Sequence, residues 1–120
     1  MTQCNPPVVN ALKLIGGKWK IAIIYNLKDG PLRFGELKRI LSPVTQQMLT
    51  KQLREMERDL MIDRKVFEVV PPKVEYSLTD FGRSFKPVLN SLCKWSSEYQ
   101  ELMQKISNER ITHVVGLQPD

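Results

Sequence analysis

The apolar positions in the first third of the chain predict three helices separated by turn signals. The first helix begins at Pro6, because proline suits a helix start, and it ends before Gly16. The second covers residues 18–28, where apolar side chains are dense enough for a largely buried helix. The third covers residues 34–41 and stops there because the residue that precedes Pro43 is pushed out of helical geometry.

A fourth helix follows, and its start is well marked. Its apolar stripe recurs at steps of four, three and four residues and consists of Leu49, Leu53, Met56 and Leu60. Thr45 can cap the first turn, while Val44 and Leu49 can form a hydrophobic staple. The third and fourth helices, joined by a tight turn, predict a helix-turn-helix at residues 33–60, whose second helix can enter the major groove of DNA.

The pattern after the fourth helix is that of a β-hairpin. β-branched and aromatic residues are frequent in residues 62–70, and apolar and polar residues alternate in residues 73–78. Pro71 and Pro72 lie between the two runs and stiffen the tip. The sequence therefore predicts a two-stranded wing at residues 62–78.

The last predicted element is a long helix, residues 79–106, that begins with Thr79 as its cap. Apolar residues alternate steps of four and three over more than three heptads, as in a coiled-coil seam. They are Phe81, Phe85, Val88, Leu92, Trp95, Tyr99, Leu102 and Ile106. Pro87 is expected to kink this helix near its start. We therefore predict one mainly α domain, residues 1–106, followed by a tail, residues 107–120, that carries little pattern.

The long seam favours a homodimer. It is too long for so small a domain to cover alone, so its C-terminal half is expected to pack on a second copy and give a twofold dimer that reads two half-sites. The alternative is that the seam packs wholly inside one chain. The residues expected at the interface come from the N-terminal and the long C-terminal helices: Val8, Leu12, Leu92, Trp95, Tyr99, Leu102 and Ile106.

The positive charge of the chain is unevenly distributed. The formal net charge is +5, but residues 1–73 hold 13 Lys and Arg against 7 Asp and Glu, whereas residues 74–120 hold 5 against 6. This asymmetry is expected when one part of a protein faces an anion and the other part has a different role.

The outer face of the fourth helix is suited to DNA. A helical wheel places Gln47, Lys51, Arg54 and Arg58 opposite the apolar stripe. Glutamine, arginine and threonine can read base edges, mainly from the N-terminal half of such a helix, so Arg58 is expected at a phosphate or without a contact. The alternatives are a solvated outer face and, for the basic hairpin, a protected sheet edge. The residues expected to contact DNA are Arg33, Thr45, Gln46, Gln47, Thr50, Lys51, Arg54, Arg64, Lys65 and Lys73.

The sequence does not indicate an enzyme. The only histidine, His113, lies in the tail, and no paired carboxylates, metal-ligand cluster or glycine-rich phosphate loop stands out. We therefore expect no catalytic residues, no metal and no cofactor. The longest apolar run, residues 21–25, is far too short for a membrane span, and the N-terminus lacks the plan of a signal peptide, which predicts a cytoplasmic protein without a membrane partner.

The two cysteines have different expected roles. In the cytoplasm both are expected to be reduced. Cys4 precedes a helix N-terminus, where a thiolate can be reactive, which would suit a sensor of oxidants or electrophiles; the alternative is an ordinary reduced thiol. Cys93 is flanked by seam residues and is expected to be a small buried hydrophobe.

Several segments, in order along the chain, resemble the HxlR-type winged helix regulators of bacteria, which are similar in shape to the MarR-type regulators. The matching segments are GGKWK at 16–20, DGPLRFGELKRIL at 29–41, VTQQMLTKQLREMERD at 44–59, PPKVEYSLTDFG at 71–82 and PVLNSLCKW at 87–95. The resemblance implies a dimeric, cytoplasmic transcription factor that binds double-stranded DNA. It also implies that the fourth helix is the recognition helix and the hairpin the wing.

The resemblance also implies a regulatory role for Cys4. Many members carry a cysteine followed by proline near the N-terminus, and some sense quinones, aldehydes or oxidants through it; here Asn5 separates Cys4 from Pro6. Relatives usually place glycine where this chain has Leu60, so the leucine is expected to lengthen the recognition helix or change the angle of the wing. The sequence thus predicts a repressor that binds a palindromic operator. The alternatives are a winged helix that binds proteins and, less well supported, a redox enzyme built on Cys4.

Overall fold

The computed structural model describes residues 5–116, with side-chain surroundings for residues 7–110, so Cys4 lies outside the described residues. The first elements are α1 (Asn5–Ile15), α2 (Lys20–Leu27), β1 (Leu32–Arg33), α3 (Phe34–Ile40) and α4 (Gln46–Arg58). They are followed by β2 (Ile62–Phe67), β3 (Lys73–Leu78), α5 (Asp80–Arg83), α6 (Lys86–Glu98) and α7 (Gln100–Gly116). The chain forms two compact units, the first ending at Lys86 and the second beginning at Pro87. None of the described helices is both long and apolar enough to cross a membrane.

The helices of the first unit confirm the sequence pattern. α1 ends at Ile15, just before the Gly16–Gly17 pair, and α3 ends two residues before the Ser42–Pro43 bond. The predicted cap of the recognition helix is present, because Thr45 Oγ1 accepts a hydrogen bond from the Met48 amide at 3.1 Å. The core of the unit consists of buried residues from these helices, the sheet and the segments that join them: Ile23, Ile24, Leu27, Leu37, Leu41, Val44, Leu49, Leu53, Met56, Met61, Ile62, Tyr76 and Leu78.

The wing is a three-stranded antiparallel sheet with the order β1-β3-β2. β2 and β3 form the predicted hairpin, in which Arg64 lies opposite Tyr76 and Lys65 opposite Glu75. β1 adds Leu32 and Arg33 to the other edge of β3. This third strand was not predicted, because two residues are too few to show a period of two.

Leu60 does not lengthen the recognition helix, so that part of the prediction was wrong. α4 ends at Arg58, and Leu60 takes a left-handed conformation with φ +63°. The Met61 amide donates to the Met56 carbonyl at 2.9 Å and the Leu60 amide to the Glu57 carbonyl at 3.1 Å, which is the hydrogen-bond pattern of a Schellman motif. Leucine therefore occupies the position that favours glycine.

Thr79 fastens the end of the wing to the segment that follows the recognition helix. Its hydroxyl lies 2.6 Å from the Leu60 carbonyl oxygen and 3.1 Å from that of Met61, and its amide donates to Met61 at 3.1 Å. The same hydroxyl accepts from the Gly82 amide at 2.9 Å, which caps α5. The end of α4, the end of β3 and the start of α5 are therefore tied at one point.

The predicted continuous helix over residues 79–106 is wrong in detail. The segment contains α5, α6 and α7, with breaks at residues 84–85 and at Tyr99. α5 is four residues long, and the break after it agrees with the proline signal, because Pro87 has no amide to donate to the Arg83 carbonyl. α7 continues to Gly116 through residues for which the sequence pattern gave no assignment.

Candidate nucleic-acid interface

The recognition helix α4 buries one face and exposes the other. Leu49, Leu53 and Met56 are almost completely buried in the core of the first unit. Gln47, Lys51, Arg54 and Arg58 are exposed on the opposite side, and Thr50 is half-buried beside them. The helix therefore presents polar and cationic side chains outward along more than two turns.

An ion pair joins α2 to the recognition helix. The Nζ of Lys20 lies 2.8 Å from Oε1 of Glu55, and the side chain of Lys20 is only 8% exposed whereas that of Glu55 is 27% exposed. The hydrogen bond from Lys20 lowers the pKa of Glu55 below its ordinary value, and the positive charges of Lys20, Lys51 and Arg58 act in the same direction. This pair lies on the flank of α4, so it holds the helix without occupying the outward face.

A concave groove of about 530 Å³ runs between the recognition helix and the wing. Gln46, Thr50, Arg54 and Glu57 line it from α4. Phe34, Arg64, Val74 and Tyr76 line it from α3 and the wing. A second concavity on α4 is lined by Gln46, Gln47, Thr50, Lys51 and Arg54, so Arg54 borders both. The arrangement places hydrogen-bonding groups and two arginines where a polyanion would meet both elements.

The lysines of the wing are partly engaged within the wing. Lys73 pairs with Glu75 at 3.3 Å, and its Nζ lies 4.5 Å from the ring centroid of Phe67. The Nζ of Lys65 lies 4.8 Å from the same centroid. Arg33 lies on β1 opposite Glu75, and its amide donates to Glu36 Oε1 at 2.9 Å at the start of α3. These cations remain candidates for the DNA backbone, but the wing lysines have intramolecular partners as well.

Arg58 has a partner of its own. Its Nε lies 3.2 Å from Oδ1 of Asp59, and this contact raises the pKa of Arg58 above its ordinary value. The neighbouring carboxylate offsets part of its charge.

The sequence analysis did not identify Lys20 as the partner of the recognition helix or Glu57 as a residue that lines the groove beside the wing. A lysine inside the apolar run from Trp19 to Ile24 was a usable signal, because a cation in a buried helix needs a partner. Glu57 lies in the last turn of α4, and its proximity to the wing depends on tertiary packing, which the sequence does not show.

Comparison with known proteins identifies the family. The HxlR-like helix-turn-helix family model matches residues 14–104 of the chain. The chain belongs to the HxlR-like helix-turn-helix family.

Relatives and solved structures of this family cover most of the chain. YdeP of Bacillus subtilis, described as an uncharacterized HTH-type transcriptional regulator, is 48% identical over 104 residues, which are 87% of this chain and 81% of YdeP. The reduced redox regulator HypR has 45% sequence identity and a TM-score of 0.79, over 82% of this chain and 98% of HypR. Reduced YodB from B. subtilis has 32% identity and a TM-score of 0.72, over 82% of this chain and 95% of YodB.

These similarities confirm the predicted fold and the broad function. The chain is a helix-turn-helix transcriptional regulator of the HxlR-like family, with the mainly helical, winged architecture of MarR-like regulators. YdeP and YodB are described as transcriptional regulators, and HypR is described as a redox regulator. The individual DNA contacts remain predictions.

The residues predicted for the dimer interface are mostly exposed in the single chain. In the second unit Trp95 is 56% exposed, and Tyr99, Leu102 and Ile106 are also exposed, while Leu92 is half-buried. Val8 and Leu12 are exposed on α1 in the first unit. Cys93 is exposed on α6, so its prediction as a buried hydrophobe was wrong for the single chain.

Proposed function

We propose that this HxlR-like regulator is a homodimeric repressor that binds a roughly palindromic operator in double-stranded DNA. α4 lies in the major groove, with Gln46, Gln47, Thr50, Lys51 and Arg54 near the base edges. Arg33, Thr45 and the wing residues Arg64, Lys65 and Lys73 lie along the backbone. The observation that carries the proposal is the exposed polar and cationic face of a helix that is anchored by Leu49, Leu53 and Met56.

The proposed dimer is supported by the apolar side chains of α6 and α7. Val88, Trp95, Tyr99, Leu102 and Ile106 are exposed and recur at helical spacing. A second copy would cover them, and the twofold dimer would read two half-sites. Half-sites that lie in successive major grooves have their centres about one turn of DNA apart, roughly 34–36 Å. Repression follows if the operator overlaps the promoter, since a bound dimer excludes the polymerase.

The proposed regulation acts through Cys4. Two similar structures are of the redox regulator HypR in its oxidized and reduced forms, at 49% and 45% identity. A quinone, electrophile or oxidant that modifies Cys4 would release this repressor from DNA. The protein would work in the cytoplasm without a metal or cofactor.

A gel-shift experiment tests the proposal. Purified protein is titrated onto DNA from upstream of its own and neighbouring genes, against random DNA of equal length, at physiological salt. We expect preferential binding to one upstream fragment, release by a quinone, and loss of that release in Cys4→Ser. Equal affinity for all fragments would favour a protein-interaction module instead. Release of wild type and Cys4→Ser alike would exclude Cys4 as the sensor.

The dimer is tested separately by light scattering during size exclusion. Trp95→Glu is expected to give monomers, whereas Lys94→Glu, one position away on α6, changes charge without removing an apolar side chain. Unchanged dimers in Trp95→Glu would place the interface elsewhere.

A further inference from the structure

The groove between α4 and the wing contains one carboxylate among its cations. Arg54 and Glu57 line it from the recognition helix and Arg64 lines it from β2. All three side chains are exposed. Among the residues that the structure describes, none of the three takes part in an ion pair, in contrast to Glu55, Arg58 and Lys73. Their charges are therefore available to a ligand.

We propose that this groove holds one phosphate of the DNA backbone at Arg64, with Arg54 attracting it from the base-reading face, and that Glu57 weakens this phosphate contact. The inference rests on the proposed DNA binding and adds an affinity-setting residue to it. A phosphate that enters a concave surface of this size lies close to every charged group on its walls, so the two guanidinium groups attract it and the carboxylate repels it. Arg54 borders both concavities of α4, so it connects the phosphate contact with the base-reading face.

The position of Glu57 along the helix separates this role from base reading. Glu57 lies in the last turn of α4, whereas base edges are usually reached from the N-terminal half of a recognition helix. A contact to phosphate carries no sequence information. Glu57 therefore lowers affinity for operator and random DNA alike, and it makes the salt dependence of binding shallower.

The test compares Glu57→Gln with Asp63→Asn on operator and random DNA over a range of salt concentrations. Asp63 is exposed and directly precedes Arg64 on β2. Successive side chains of a strand point to opposite faces, so the carboxylate of Asp63 points away from the face that carries Arg64, and Asp63 does not line the groove. Both substitutions remove one negative charge. We expect Glu57→Gln to tighten binding to both DNAs by about threefold or more. The slope of the logarithm of the binding constant against the logarithm of the salt concentration should become steeper by up to about 0.9. Asp63→Asn should do clearly less.

A double variant shows whether the effect belongs to the groove. In an Arg64→Ala background, Glu57→Gln should increase the affinity for DNA by a smaller factor, because the phosphate no longer has its partner on the wing. An undiminished gain, or equal gains from Glu57→Gln and Asp63→Asn, would overturn the inference while operator preference stays intact. A change confined to operator DNA would also overturn it, because Glu57 would then read a base. If wild type shows no operator preference, the proposed function fails, and the random-DNA measurements still decide the role of Glu57.

Discussion

The buried ammonium group of Lys20 on α2 lies 2.8 Å from the carboxylate of Glu55 on the recognition helix. The two partners differ in exposure, since the side chain of Lys20 is 8% exposed and that of Glu55 is 27% exposed. Removing one partner is therefore not equivalent to removing the other. A carboxylate left alone can be hydrated where it stands, whereas a buried ammonium group cannot.

This asymmetry predicts the order of two stability changes. Glu55→Ala leaves Lys20 buried without its partner, so Tm should fall clearly. Lys20→Met keeps the length of the apolar stem and leaves only a partly hydrated carboxylate, so Tm should fall less or stay unchanged. Thermal unfolding followed by circular dichroism measures both. A larger loss for Lys20→Met would contradict this order, because both variants break the ion pair and differ only in the charge that is left unpaired.

The same pair predicts a pH dependence in the acid range. Lys20 lowers the pKa of Glu55 in the folded protein, so the folded state binds this proton less readily than the unfolded chain does. The contribution of the pair is complete above the pKa of glutamate in an unfolded chain, about 4.3, and is lost as pH falls through the lower folded-state pKa. The stability difference between wild type and Glu55→Gln should therefore narrow between pH 6 and pH 3, as measured by urea unfolding. A stability difference that stays constant over this pH range would contradict the lowered pKa of Glu55.

The helix-turn-helix could be predicted from the sequence because its signals are local. Thr45 caps α4 and Leu49 is buried at the position the stripe gives it. β1 could not be predicted, since two residues pair with β3 only after the chain has folded. An interruption near the start of the last predicted helix was expected at Pro87 and lies at residues 84–85, but the break at Tyr99 was missed, because the spacing of Phe81 to Ile106 continues unchanged across it.

The sequence predicts the outward face of α4 but not the groove between α4 and the wing. The outward row of Gln47, Lys51 and Arg54 follows from the helical period alone. The groove does not, because it brings Glu57 and Arg64 together through the packing of a helix against a sheet. Lys20, the one buried cation among the residues that the structure describes, was visible in the sequence, but its partner on another helix was not.

Leu60 offers a site for stabilisation. It has φ +63° and is 70% exposed, so it bears the cost of a left-handed conformation while burying little surface. Leu60→Gly should raise the free energy of unfolding by about 1 kcal/mol, because glycine adopts this conformation without the steric cost. Leu60→Ala removes most of the side chain but keeps the Cβ, so it should change stability little. Urea unfolding distinguishes the two, and equal effects would show that the side chain rather than the backbone matters.

At Gly82 we expect the opposite effect, because here the loss of glycine should destabilise the protein. A Cβ at this position would lie 2.1 Å from the Met61 carbonyl oxygen, a backbone atom that also accepts from the Thr79 amide. Gly82→Ala should therefore destabilise the first unit by about 2–4 kcal/mol, since the link between the wing and α5 must open. Gly35→Ala is the matched control, because its Cβ would meet no atom within 4 Å beyond its chain neighbours and the backbone of its own helix, and alanine favours the helix α3. Denaturant unfolding that ranks the two variants the other way would refute the crowding at Met61.

Arg54 and Lys73 should affect DNA binding in different ways. Arg54 is exposed on α4 near the proposed base edges, so Arg54→Ala should weaken operator binding by about 1–3 kcal/mol and random DNA by less. Lys73 pairs with Glu75 and lies over the ring of Phe67 in the wing, so Lys73→Ala should lower the affinity for all sequences only modestly. The slope of the logarithm of the binding constant against the logarithm of the salt concentration should become shallower by at most about one. Fluorescence anisotropy on both DNAs at several salt concentrations measures these changes. Equal losses on operator and random DNA for both variants would remove Arg54 from the base-reading set and leave α4 with a purely electrostatic role.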